Sequence, residues 1–193
     1  MRVISGVAKG RRLKAVPGDA TRPITDRVKE ALFNILGDFV FGARVLDLFA
    51  GTGAVGIESL SRGAAEVVFI DKSSAALQTV RVNLQNTRLS DRATILRVDA
   101  FKYLSGPAQA AFDLIYVAPP QYKGLWADAL RSVDGQPAWL SIYPEGESGI
   151  VVAQIHPREY QDLPLENLTE YDQRKYGSTL LCFYELAEGR GCE

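Results

Sequence analysis

Asp47, Gly51, Gly53 and Asp71 are the residues whose types and spacing could hold a ligand, and all four lie in the stretch ARVLDLFAGTGAVGIESLSRGAAEVVFIDK at 43–72. Glycines at the end of a buried strand let the chain turn sharply and let a ligand approach bare backbone, because they lack a Cβ. Gly56 completes a literal G-x-G-x-x-G, and Asp71 follows where a ribose hydroxyl would be held. The pattern alone describes a dinucleotide site, or a scaffold turn with no ligand.

Asp47 argues for a different ligand. Four residues before Gly51, its carboxylate would face the same turn. There it would repel a pyrophosphate and attract a molecule bearing an ammonium and a sulfonium. S-adenosylmethionine carries both groups and no phosphate, so this wall favours it over NAD.

The elements that must position these residues follow from the apolar pattern. A buried strand over 44–49 and a second strand ending at Asp71 are separated by a short helix from about residue 54, so they cannot pair as a hairpin. They are parallel neighbours joined by a right-handed crossover. A helix over 73–86 and a third strand over 93–98, ending before Asp99, extend the unit. Asp47, Asp71 and Asp99 then tip three strands at one carboxyl edge, where open α/β sheets bind ligands. One suits an ammonium, one ribose hydroxyls and one an adenine amine; Asp99 equally suits capping a helix over 100–104. With Phe49, Lys72 and Ala100 beside them, the candidate cofactor residues are Asp47, Phe49, Gly51, Gly53, Asp71, Lys72, Asp99 and Ala100.

A fourth strand starts at Phe112 and must stop at Pro119 and Pro120, which cannot donate to a ladder. Ala118, Pro119, Pro120, Gln121 and Tyr122 make a candidate target-base pocket, or a rigid loop that only ends a strand. A helix over 124–132 and a strand over 150–155 come next. Runs at 165–176 and 178–186, joined at Gly177, form a final hairpin that places an antiparallel strand in the sheet. The lone His156 sits at a strand end, with no Cys or His cluster for a metal.

Charge is unevenly spread. Residues 1–30 hold eight basic side chains against three acids, a net +5, leaving −6 for the rest of a chain whose net charge is −1. A basic arm on an acidic body suits a local polyanion contact. Residues 2–6 and 11–15 read as a hairpin around the turn at 7–10, with Lys9, Arg11 and Arg12 clustered at its tip. Arg2, Lys9, Arg11, Arg12, Arg22 and Arg27 are the candidates for RNA phosphates; the bland alternative is a solvated basic hairpin. Thr25 caps the helix that follows, whose apolar stripe is Val28, Ala31, Leu32, Ile35 and Leu36.

The length suits one domain, divided as a basic arm over 1–24 and a catalytic domain over 25–193. No run of about 18 apolar residues suggests a membrane span. A cytoplasmic monomer is expected, with Cys182 buried and Cys192 in a polar tail and no disulfide between them.

Taken together, RVISGVAKGRRL, TRPITDRVKEALFNIL, VLDLFAGTGAVGIESLSRGA, the Pro119-Pro120 pair and RKYGSTLL resemble the RsmD family of 16S ribosomal RNA guanine-N2 methyltransferases over nearly the whole chain. The resemblance implies an α/β fold: a Rossmann-like seven-stranded sheet, mostly parallel with an antiparallel C-terminal strand, plus the small N-terminal hairpin. It implies S-adenosylmethionine as donor and a guanine N2 of 16S rRNA as acceptor, within a small-subunit assembly particle. Asp47, Gly51 and Gly53 would line the methionine end, Asp71 the ribose and Asp99 the adenine. In one place the chain departs from the family, which presents Asp or Asn before the proline pair. Here that position is Ala118, and the aromatic residue comes one place later, as Tyr122. A non-catalytic RNA-binding or assembly protein, and a methyltransferase for adenine N6 in DNA, are the alternatives.

Overall fold

A computed structural model describes residues 1–18, 24–144 and 146–187. Arg22 and Cys192 lie outside these. The chain divides into two compact units, Met1–Ala100 and Phe101–Glu193, and its seven strands make up one mixed, mostly parallel sheet.

The first unit contains α1 (Asp26–Leu36), β1 (Arg44–Asp47), α2 (Ala54–Ser61), β2 (Glu66–Asp71), α3 (Ser74–Thr87) and β3 (Ala93–Arg97). Its strands run in the order β3-β2-β1 and are parallel, with Asp47 opposite Phe69 and Asp71 opposite Arg97. Val45, Leu46 and Val67 to Ile70 are buried, which is why both strands read as unbroken apolar runs rather than alternating ones. Strand β1 ends two residues earlier than the sequence suggests. Leu48 and Phe49 already turn, although Ala50 N–H still donates to the Ile70 carbonyl at 2.8 Å.

All eight residues of α2 are buried. A helix buried all round needs a cover on each side, and its second cover is the N-terminal segment. Residues 1–13 fold back on themselves through Val3 N–H to the Arg11 carbonyl, Gly10 N–H to the Val3 carbonyl and an antiparallel bridge between Arg2 and Arg12. The expected hairpin is therefore present, as a strap lying along α2. Val7 N–H donates to the Ser61 carbonyl, and Ala8 N–H to Ser61 Oγ.

Helix α1 starts at its Thr25 cap, whose hydroxyl accepts from Val28 N–H. Its buried face is Val28, Lys29, Leu32, Phe33 and Leu36, while Ile35 is exposed. The face is thus rotated from the apolar stripe of the sequence. The cause is Lys29, an ammonium buried completely against Glu58 of α2.

Gly56 explains its own identity. A Cβ there would lie 2.3 Å from Phe69 Cε1 and 2.8 Å from Val67 Cγ1, so the third glycine of the motif serves helix–strand packing rather than ligand approach. Gly56→Ala should lift α2 off β2 and lower unfolding stability by about 1–3 kcal/mol, read as a lower urea midpoint at unchanged slope.

The second unit holds β4 (Leu114–Val117), α4 (Leu125–Asp134), β5 (Ile150–Ile155), β6 (Leu168–Tyr176) and β7 (Thr179–Leu186), with strand order β4-β5-β7-β6. Strands β4 and β5 are parallel, and β7 runs antiparallel to both of its neighbours. The final hairpin turns at Gly177, as its sequence predicts. Strand β4 begins two residues after Phe112, because Phe112 N–H bonds the Trp139 carbonyl and the Phe112 carbonyl accepts from Ser141 N–H. Cys182 is fully buried.

Candidate cofactor and RNA sites

The glycine turn is held from both sides by carboxylates. Gly51 and Gly53 have φ of 52° and 75°, a left-handed region that side chains with a Cβ avoid. Gly53 occupies the N-cap of α2 and has no side chain with which to cap it. Asp47 supplies the missing acceptor from the end of β1: its Oδ2 takes the Gly56 N–H at 3.3 Å. Asp71 braces the other side, with Oδ2 accepting from Gly51 N–H at 3.0 Å and Oδ1 from Ser73 N–H at 2.8 Å.

These two acids differ in environment. Asp71 is half-buried, whereas Asp47 is 2% exposed. Burial pushes the Asp47 carboxyl up to about 7; the Gly56 N–H pulls it down and the Asp71 charge adds to the rise. A carboxylate in this state gains from any cation brought beside it, since its charge is poorly solvated and is met by a single weak amide bond, from Gly56, among the described residues. Here the arrangement favours a cationic ligand and disfavours a phosphate.

Of the other cofactor candidates, Phe49 is half-buried in the same turn, Lys72 is exposed beyond Asp71, and Asp99 is exposed two residues past the end of β3, with Ala100 buried behind it. Arg97 Nε donates to the Lys72 carbonyl at 3.4 Å, joining the ends of β2 and β3. Hydrogen bonds thus bring Asp47, Gly51 and Asp71 into one turn, and Asp99 belongs to the neighbouring strand end.

The strap has a definite direction. Its base meets the glycine turn: Asn83 of α3, fully buried, donates from Nδ2 to the carbonyls of Thr52 (2.9 Å) and Lys14 (3.0 Å), and its Oδ1 accepts from Lys14 N–H at 2.7 Å. Its turn meets the far end of α2 at Ser61. The basic residues are therefore spread along α2 and not gathered at a tip. Arg2 and Arg12 face each other across the bridge, Arg2 paired with Asp26 at 3.6 Å. Arg11 donates to the Asn86 carbonyl, and Lys9 lies by the distal turn. Lys9, Arg12 and, on α1, Arg27 are exposed.

Sequence reasoning missed the anchor of this strap. Glu58, with no exposure, accepts from Ile4 N–H at 2.8 Å and Ser5 N–H at 2.9 Å, and it pairs with Lys29 at 3.3 Å and Arg62 at 2.9 Å. Lys29 Nζ also donates to the Arg2 carbonyl at 2.6 Å. The available signal was an acid inside an otherwise apolar helix, GIESL, which demands a cationic partner somewhere. Lys29 is consequently removed from the basic surface that the charge count of residues 1–30 suggests.

In the second unit the proline loop follows β4 directly. Ala118 and Pro119 are half-buried and Pro120 is exposed. Gln121 is half-buried, and Tyr122 is 66% exposed with φ of 61°. His156 follows the end of β5, as expected, and its Nδ1 accepts from Arg158 N–H as a turn cap.

A family model described as "Conserved hypothetical protein 95" matches residues 1–185. The chain is 42% identical over 189 residues to the Bacillus subtilis protein named "Putative rRNA methyltransferase YlbH", covering 96% of this chain and 98% of that one. It is 34% identical over 153 residues to "Ribosomal RNA small subunit methyltransferase D" of Haemophilus influenzae, covering 76% and 79%. Its structure superimposes on "Putative methyltransferase yhhF from Escherichia coli" with a TM-score of 0.81 at 28% identity, over 96% of this chain and 97% of that one. The chain belongs to the family described as Conserved hypothetical protein 95, the RsmD family whose opening and helix motifs it carries.

Proposed function

We propose that this protein transfers a methyl group from S-adenosylmethionine to the exocyclic N2 of a guanine in 16S rRNA, acting as a cytoplasmic monomer on a small-subunit assembly particle. The observation that carries the cofactor reading is the buried Asp47 carboxylate closing a glycine turn braced by Asp71. The names of the rRNA methyltransferase relatives support the acceptor class.

Asp47, Phe49, Gly51 and Gly53 would hold the methionine end of the donor, Asp71 and Lys72 the ribose, and Asp99 and Ala100 the adenine. Bound S-adenosylmethionine supplies a methyl carbon on an already activated sulfonium leaving group. What remains for the protein is alignment of acceptor and donor, which can supply most of the rate. The guanine amine is a poor nucleophile because its lone pair is delocalised into the ring. Acceptors that bond its N–H groups turn that lone pair toward the methyl carbon. On transfer the N–C bond would form as the donor's C–S bond breaks, and the surplus N2 proton would leave to water, since amide oxygens can orient the N–H groups but are too weakly basic to take the proton. With Ala118 in place of the Asp or Asn that the resembled family presents before its proline pair, the hydrogen-bond acceptors would be main-chain carbonyls at 118–119 and the Gln121 amide. The loop from Ala118 to Tyr122 receives the base.

Residues 1–24 form the RNA-contacting part and 25–193 the catalytic domain. Arg2, Lys9, Arg11, Arg12, Arg22 and Arg27 meet phosphates. Replacing Lys9 and Arg12 together by alanine should lower the slope of log affinity against log salt by about 1.5, since each lost phosphate contact removes about 0.7–0.9. Filter binding across a salt series reads this directly.

The deciding experiment incubates the protein and labelled S-adenosylmethionine with small subunits from cells lacking the protein, then maps methylguanosine by mass spectrometry. Labelled N2-methylguanosine at a single position is the expected result. Ala118 also favours a second reading, a non-catalytic RNA-binding or assembly factor. Binding of donor and subunit without transfer would establish that instead, and labelled DNA in a competition would point to adenine N6.

A further inference from the structure

Tyr122 is held in an unusual backbone state by a residue from a different loop. Its φ of 61° is left-handed, a costly region for a bulky side chain that must be stabilised by its surroundings. Pro119 and Pro120 fix their own φ and not that of Tyr122. The hold comes from Glu159, whose Oε2 accepts the Tyr122 N–H at 2.5 Å.

Glu159 is itself locked. Strands β4 and β5 are parallel, with Val117 opposite Ala153, so the segments that follow them open on the same edge of this unit. After β5 the chain makes a single 3-10 turn, Pro157–Glu159, closed by a reciprocal capping box: His156 Nδ1 accepts from Arg158 N–H at 3.2 Å, and Glu159 Oε1 accepts from His156 N–H at 3.3 Å. One carboxylate oxygen therefore closes the turn while the other reaches Tyr122. The imidazole of His156 lies 5.4 Å from the Tyr122 ring, tilted by 42°. Supported on that side, Tyr122 remains 66% exposed. A ring fixed at its backbone, supported on one side and open on the other is a platform for a flat aromatic ligand, and an unpaired nucleobase is one.

We infer that Glu159 is a positioning residue that holds Tyr122 in its left-handed conformation so that the ring stacks on the target base. This rests on the reading that residues 118–122 receive that base. The test is a double-mutant cycle in methyl transfer to unmodified small subunits, using Glu159→Ala, Tyr122→Ala and both together. The expected result is a fall in kcat of about ten-fold for each single variant with the KM for S-adenosylmethionine unchanged. The double variant should be no slower than Tyr122→Ala, because a residue acting through Tyr122 has nothing left to position. If Glu159→Ala does not fold, Glu159→Asp repeats the cycle; it keeps the charge but is a methylene too short to reach Tyr122 and close its own turn. Full activity of the Glu159 variant beside an impaired Tyr122→Ala overturns this inference alone, as does a double variant whose losses multiply. Full activity of Tyr122→Ala, or no transfer by the wild type, overturns the base-pocket reading and this inference with it.

Discussion

Asp47→Asn should bind S-adenosylmethionine at least ten-fold more weakly than the wild type and yet unfold at a higher temperature above pH 7. Both effects come from one buried charge. The wild-type carboxyl is raised from 3.8 to about 7 by burial, opposed by the Gly56 N–H and reinforced by Asp71. Between about pH 4 and 7 the folded protein keeps this proton while the unfolded chain has lost it, so the native state binds more protons and stability falls as pH rises. The contribution is fully present below 3.8 and gone above about 7. At about 1.36 kcal/mol per unit, the gap amounts to about 4 kcal/mol. Asparagine keeps an acceptor for Gly56 and avoids that cost, so the variant gains on the wild type steadily across this window.

Binding carries the opposite sign. A cationic donor needs Asp47 ionised, so below pH 7 the donor must expel a proton to bind. Wild-type affinity should therefore rise by up to about ten-fold per pH unit toward 7 and then level off, whereas the asparagine variant should show a flat profile. Calorimetric titrations from pH 5.5 to 8, in buffers of different ionisation enthalpy, measure both the affinity and the proton released. A wild-type profile as flat as that of the variant would remove Asp47 from the cofactor site and leave it as the surrogate cap of α2.

Lys29→Ala should cost about 3–5 kcal/mol, the usual penalty for stranding one member of a buried ion pair. Both partners have fully buried side chains. Burial pulls the Lys29 ammonium below its usual range, and Glu58 pulls it back. Without Lys29, Glu58 keeps Arg62 and the amides of Ile4 and Ser5, which sets the cost toward the low end of that range, while the Arg2 carbonyl loses its donor. Lys29→Met with Glu58→Met should cost less than the sum of the two single changes, because the two buried charges leave together, although Arg62 and the amides of Ile4 and Ser5 lose their acceptor. Urea unfolding gives the energies. Limited proteolysis before α1 reports the strap: cleavage there in Lys29→Ala, with RNA affinity reduced and donor affinity retained, is the expected pattern, since the glycine turn does not use this pair.

How much of this was legible in the sequence varied with how local each feature is. The β1-α2-β2 unit, the carboxylates at its strand ends, the Thr25 cap and the final hairpin at Gly177 were all readable, because apolar period, glycine and capping residues act over a few neighbours. So was the family, from motifs spread along the chain. The direction of the strap was not. A hairpin seen alone gathers its basic residues at a tip, and only the contacts of Ser61, Asn83 and Glu58 lay it along α2. The stripe of α1 was misplaced for the same reason, since a lysine reads as solvent-facing until Glu58 meets it from 29 positions away.

The sequence by itself therefore determined the sheet, the glycine turn and the sign of the charge beside it, for these depend on residue type and near spacing. Tertiary structure decided the rest: that Asp47 is dry enough to hold its proton to about pH 7, that Lys29 belongs to the interior, and that Tyr122 is held left-handed by Glu159. Burial and long-range pairing set the energy of a charge or a strained residue, and neither exists until distant segments meet.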